Sequence, residues 1–180
     1  VYFGGGLDVF SLEDPICAAG GEIAVGRAFY KLVKEDAVSA MPPSTGVAVA
    51  GRVEKYRREA LSGIDAGSSA TVQGGDLVEV ELTIDAKNDY EYLVFEDMKA
   101  AGLEAVELRS GYSANSLGAY VEYRDQKVAL FVRYLPQGTY TTRYRFRAEA
   151  PGTFPALPPF GGCIYATDLF ANSAEMKHRV

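Results

Sequence analysis

Apolar and polar residues alternate along most of this chain. In Asp76–Asp85, Val78, Val80, Leu82 and Ile84 point one way while Glu79, Glu81, Thr83 and Asp85 point the other. A period of two is the mark of a strand with one face in a core and one in water. Thr139–Glu149 repeats it, with Tyr140, Thr142, Tyr144, Phe146 and Ala148 opposite Thr141, Arg143, Arg145, Arg147 and Glu149. Glu22–Val33 alternates more loosely; Ile23, Val25, Phe29 and Val33 are expected inside, Arg27 and Lys31 outside. Further strands are expected at Leu7–Leu12, Arg52–Leu61, Glu91–Glu96, Tyr120–Tyr123, Lys127–Leu135 and Cys163–Ala166, with Met176–Val180 as a closing strand. Roughly nine or ten strands suit an all-β, antiparallel two-sheet sandwich.

The punctuation agrees. Asp125-Gln126 separates two strand runs as a two-residue hairpin loop would. Pro136-Gln137-Gly138 has turn chemistry, Pro fixing φ and Gly tolerating positive φ. The stretch 120–149 therefore reads as a meander. Lys34–Gly51, with Pro42-Pro43, and Ser62–Gly75 read as long loops, and residues 1–6 as a flexible lead-in to a single domain over 1–180. Helix formers in Met98–Ala105 are interrupted by Gly102, and Ser113–Gly118 has room for one short turn.

Composition narrows the function classes. The chain has 180 residues, 48% hydrophobic and 23% charged, values of a globular domain. A net charge of −6 argues against nucleic acid or anionic membrane as partner, since both need a basic surface. No apolar run approaches the ~18 residues of a spanning helix. The chain opens on Val1 without basic or apolar leader residues, so a domain cut from a longer protein, or a mature piece with its signal upstream, is expected.

Candidate chemistry is sparse. Gly4-Gly5-Gly6 lacks the Lys-Ser/Thr and helix of a phosphate loop. Ser110-Gly-Tyr-Ser113 lacks the spacing of a nucleophile elbow. A serine triad would have to use His178, the single histidine, near the end of the chain. Glu96-Asp97 and Glu13-Asp14 read as strand-end and turn residues rather than a carboxylate pair. Neither Cys17 nor Cys163 has a neighbour at metal-ligand spacing, so no metal or other cofactor is expected. They are either a disulfide, worth about 4–5 kcal/mol on a chain-entropy basis, or two small buried thiols. The stripe Arg143, Arg145, Arg147 lies on one strand face. It either receives an acidic partner or pairs across strands with a row such as Glu79 and Glu81. The 12 Tyr and 9 Phe suit a sandwich core; an exposed aromatic row for sugar binding is not visible as a pattern.

Several segments, in order, carry a resemblance. They are Gly6-Leu-Asp-Val-Phe-Ser-Leu-Glu-Asp-Pro15, Val25-Gly-Arg-Ala-Phe-Tyr30, Gly75-Asp-Leu-Val-Glu-Val80, and Asp89-Tyr-Glu-Tyr-Leu-Val-Phe-Glu-Asp97 with Ala101-Gly-Leu-Glu104. The fullest block runs from Leu135-Pro-Gln-Gly-Thr-Tyr140 through Tyr144-Arg-Phe-Arg-Ala-Glu-Ala-Pro-Gly-Thr-Phe154 to Ala156-Leu-Pro158. A tail follows from Ile164-Tyr-Ala to Asn172-Ser-Ala-Glu-Met176. Together they resemble the C-terminal region of the bacterial alpha-2-macroglobulin family.

That resemblance implies a macroglobulin-like sandwich, of immunoglobulin or fibronectin-III type architecture, following a thioester domain in a periplasmic or cell-surface protease trap. The implied partners are that thioester domain and, through the parent protein, target proteases. The family's thioester signature has Cys followed by Glu-Gln, whereas Cys17 precedes Ala18-Ala19-Gly20-Gly21 and Cys163 precedes Ile164-Tyr165. No catalytic residue is carried over, and a non-enzymatic module is expected. The alternative is a free-standing carbohydrate-binding or adhesive sandwich. One departure is Pro158-Pro159-Phe160-Gly161-Gly162-Cys163, whose turn chemistry sits where a more regular strand is expected.

Overall fold

The computed structural model describes residues 16–35, 55–61, 72–112 and 116–179. The lead-in, the expected strand Leu7–Leu12 and most of the two long loops lie outside the described residues. The described residues form strands and no helix. One sheet has the order β2-β1-β3-β9-β5, with β1 Ile23–Glu35, β2 Lys55–Leu61, β3 Leu77–Ala86, β5 Leu103–Ala105 and β9 Gly138–Ala148. The other has the order β12-β11-β4-β8-β7-β6, with β4 Tyr90–Met98, β6 Gly111–Tyr112, β7 Tyr120–Tyr123, β8 Lys127–Leu135, β11 Phe160–Cys163 and β12 Phe170–Asn172. A small sheet pairs β10 Thr153–Ala156 with β13 Met176–Arg179. Every pairing is antiparallel.

The alternating sets meet between the layers. Val78, Val80, Leu82 and Ile84 of β3 lie beside Tyr144 and Phe146 of β9 in one core with Leu93 and Phe95 of β4 and Val128, Leu130 and Val132 of β8. All are buried. Each such side chain taken out of water contributes about 1.5–3 kcal/mol against the entropy of ordering the chain.

The expected meander is corrected at its second turn. Asp125-Gln126 does close a β7–β8 hairpin, with Arg124 N–H donating to Lys127 O at 2.9 Å. Pro136-Gln137 instead carries the chain from one sheet to the other, because β8 pairs with β4 and β9 with β3. A second crossing, 87–89, runs beside it. Asp89 staples the two: it accepts from Gln137 N–H at 2.8 Å and from the Tyr134 hydroxyl at 3.0 Å. These two bonds hold the exposed Asp89 carboxyl below its ordinary pKa.

Two segments that the sequence left without a regular strand are strand in part. The helix-forming stretch Met98–Ala105 becomes the end of β4, a turn and β5. Gly102 takes φ +86° in that turn, and a Cβ there would lie 2.4 Å from the Phe154 ring. The glycine-rich run that replaces a regular strand is itself one: Phe160–Cys163 is β11, paired on both sides by β4 and β12. The expected Cys163–Ala166 strand accordingly ends where it was expected to begin.

Candidate functional site: the sheet faces

Arg27 is the clearest reversal of the sequence reading. It shares parity with Ile23, Val25 and Phe29 and therefore points into the sandwich, its side chain 1% exposed. Strict alternation wins over the preference of guanidinium for water because partners wait inside. Nη1 lies 2.5 Å from Asp97 Oδ1, and Nη2 donates to Ala156 O at 2.6 Å. The Tyr144 hydroxyl donates to the other oxygen of Asp97. Burial pushes the Asp97 carboxyl up, against the pull of Arg27 and Tyr144, and pushes the Tyr144 phenol well above its ordinary range. The trio ties β1, β4, β9 and β10 across the core. It is closed on all sides, so it has the place of a structural tie rather than of a reactive centre.

The outer face of the five-stranded sheet carries the arginine stripe. Register sets Arg145 opposite Glu79 and Arg143 opposite Glu81. Arg143 Nε lies 2.6 Å from Glu81, and Arg145 Nε 3.5 Å from Glu79. Arg58 of β2 reaches both carboxylates at 2.8 Å and stacks on Tyr30, 3.8 Å from the ring centroid. Arg147 stands opposite Leu77 on one side and Glu104 on the other. This is the cross-strand pairing weighed above as the alternative to an acidic partner. Burial raises the Glu81 pKa, but the hydrogen bonds and charges of Arg58 and Arg143 outweigh it, and the net direction is down.

A lowered carboxylate pKa gives stability that is present above the ordinary value and lost as pH falls through the lowered one. Arg58→Gln is therefore expected to cost about 1–2 kcal/mol at neutral pH, and Arg143→Gln less than about 1 kcal/mol. The Arg58→Gln deficit should shrink as Glu81 protonates. Urea midpoints against pH check this; a deficit independent of pH contradicts it.

The cysteines are not bridged. Both are thiols, but not the buried pair expected: Cys17 is exposed and Cys163 half-buried. Cys163 N–H donates to Leu169 O, whereas the Cys17 carbonyl accepts from Asn172 Nδ2. Leu169 and Asn172 are roughly 10 Å apart along an extended strand, and a disulfide tolerates Cα separations of only about 7 Å. His178 is on β13, paired with Phe154. Among the described residues no group of three or more His, Cys, Asp or Glu could hold a metal ion, and no helix is long and apolar enough to cross a membrane.

The outer face of the six-stranded sheet is where sequence reasoning missed a feature. Register aligns Phe170, Gly162, Val94, Phe131, Tyr120 and Tyr112 in one transverse row, one residue from each strand. Inward neighbours such as Leu93 and Phe95 are buried, so the row faces outward. Tyr112 is 83% and Phe170 62% exposed, with Phe160, Ile164 and Tyr165 also open. Tyr112 meets Tyr120 edge-on at 5.3 Å between centroids, and Tyr92 meets Tyr165 likewise at 5.4 Å. Between the two pairs lies a depression of ≈ 270 Å³ over Phe131, Val132 and Arg133. Tyr92 has φ 56°, a left-handed backbone in mid-strand that costs roughly 1–2 kcal/mol. Each strand contributes one member of this row, so no single segment of sequence displays it. Only the alternation of each strand, combined with the strand order, could have found it.

Comparison with known proteins agrees with this architecture. Residues 46–168, more than half of the chain, match the family described as Bacterial Alpha-2-macroglobulin MG10 domain. The "Alpha-2-macroglobulin homolog" of Nostoc sp. is 30% identical over 116 residues, 59% of this chain and 6% of that protein. The native conformation of E. coli alpha-2-macroglobulin superposes with a TM-score of 0.62 at 20% identity, covering 95% of this chain and 10% of that one. Trypsin-activated alpha-2-macroglobulin from E. coli gives 0.58 at 19% identity, covering 92% and 11%. The chain thus spans about a tenth or less of these relatives. An antiparallel sandwich with this strand pairing and a match over most of its strands make the chain a member of the bacterial alpha-2-macroglobulin MG10 domain family.

Proposed function

We propose that this chain is the C-terminal, non-catalytic domain of a periplasmic or cell-surface protease-trapping protein, and that it works as a docking module. In the resting molecule its aromatic face packs on another domain of the same polypeptide, the thioester domain. After a protease cuts the parent, the packed domain shifts as a rigid body. The carrying observation is the apolar row across all six strands, which is larger than scattered exposed hydrophobics would give. Support comes from the relatives, which are about ten times longer than this chain, one of them solved in a trypsin-activated form. The buried Arg27–Asp97 tie suits a body that moves whole.

A saccharide-binding sandwich would also expose aromatics. The edge-on tyrosine pairs favour docking, because they offer ring edges as well as faces rather than one flat platform. Hydroxyl-radical footprinting tests the proposal. Tyr112 and Tyr165 should label strongly in the 180-residue chain and several-fold less in the full-length resting protein. Equal labelling in both would overturn it.

A further inference from the structure

We infer that the depression between the two tyrosine pairs is the anchor point of this contact, and that it takes one large apolar side chain with a carboxylate beside it, supplied by another part of the same polypeptide. The inference rests on the docking reading above and adds the chemistry of the partner. The floor is Phe131 and Val132, and the walls are Tyr92 on one side and Tyr112 with Tyr120 on the other. A space of ≈ 270 Å³ has room for one aromatic or long aliphatic side chain with its flanking backbone, the scale of an interface hot spot rather than of a small-molecule cleft.

Charge selects the second element. On this face Glu96 is paired with Lys127 and Glu122 with Arg124, at 2.7 and 2.5 Å. Arg133 lies in the depression, exposed, with no ion-pair partner among the described residues. An uncompensated arginine lining a largely apolar depression becomes a strong carboxylate site once water is excluded, because the local dielectric falls. The strained Tyr92 points to the same place. Its backbone departs from the strand beside Arg133, its usual partner across β4 and β8, and its carbonyl accepts from Ile164 N–H at 2.9 Å. Strain of this kind is maintained where a surface is shaped for something. The occupant belongs to the same polypeptide because the relatives extend about tenfold beyond this domain.

The test places a benzophenone amino acid at Tyr112 in the full-length polypeptide, irradiates the resting form and sequences the cross-linked peptide. The expected peptide comes from the same polypeptide and has a large apolar residue with Asp or Glu within two positions. Arg133→Glu should lower the cross-link yield about fivefold or more, and changing that acidic residue to Lys in the Arg133→Glu background should restore it. A same-chain peptide without an acidic residue, or a yield indifferent to Arg133→Glu, overturns this inference and leaves the docking reading standing. No cross-link, or cross-links only to other molecules such as saccharides, overturns both.

Discussion

Asp97→Leu is expected to lower the unfolding free energy by about 3–5 kcal/mol, because it strands the Arg27 guanidinium in the core without its counter-charge. The loss is a large fraction of the roughly 5–15 kcal/mol that holds a domain together. The asymmetry between breaking and replacing a buried pair makes the expectation specific. Arg27→Met/Asp97→Leu/Tyr144→Phe removes both charges and the phenol that donates to the carboxylate. It leaves only Ala156 O to lose its side-chain donor, so it should recover more than half of the single-variant loss. Arg27 already carries one buried nitrogen, Nε, without a hydrogen-bond partner, which limits how much the ion pair itself stabilises. Urea unfolding of the single and triple variants decides the matter: a triple variant no more stable than Asp97→Leu contradicts the account.

Gly161→Ala is expected to cost about 1–3 kcal/mol by overpacking. Gly161 faces inward from β11, opposite Phe95 of β4, and an added Cβ would fall 2.0 Å from the Phe95 ring. Phe95 is 1% exposed, so a shift of its ring must displace core neighbours. Phe95→Ala alone should cost about 3–5 kcal/mol through the cavity it leaves. The double variant should cost less than the two singles added together, by roughly 1 kcal/mol or more, since each change makes room for the other. A strictly additive cycle would show that Phe95 does not occupy the space over Gly161.

The contrast between these two sites shows what the alternating pattern could and could not tell. β3 and β9 were legible in full, because their outward residues are charged or hydroxylated and their inward ones apolar. β1 was legible as a strand but misread at Arg27, whose type points to water while its position points to the core. The deciding partner, Asp97, lies far along the chain, out of reach of any local pattern. β11 was misread as a turn because Gly161 and Gly162 are favoured in turns, yet here the first makes room for an aromatic ring. For Arg143 and Arg145, one of the two readings left open named the right glutamate partners, since both rows lie on alternating strands. The aromatic face was invisible for the opposite reason: its members come from six short segments, and only strand order aligns them.

The central claim is that the outer face of the six-stranded sheet is a docking face for the rest of the polypeptide. A reconstruction of the full-length protein before protease cleavage tests it most directly. The account predicts that another domain covers the row from Phe170 to Tyr112 and leaves the Arg58–Glu79–Arg145 ladder in solvent. A reconstruction with that row open to solvent, or with the charged ladder covered in its place, would contradict it.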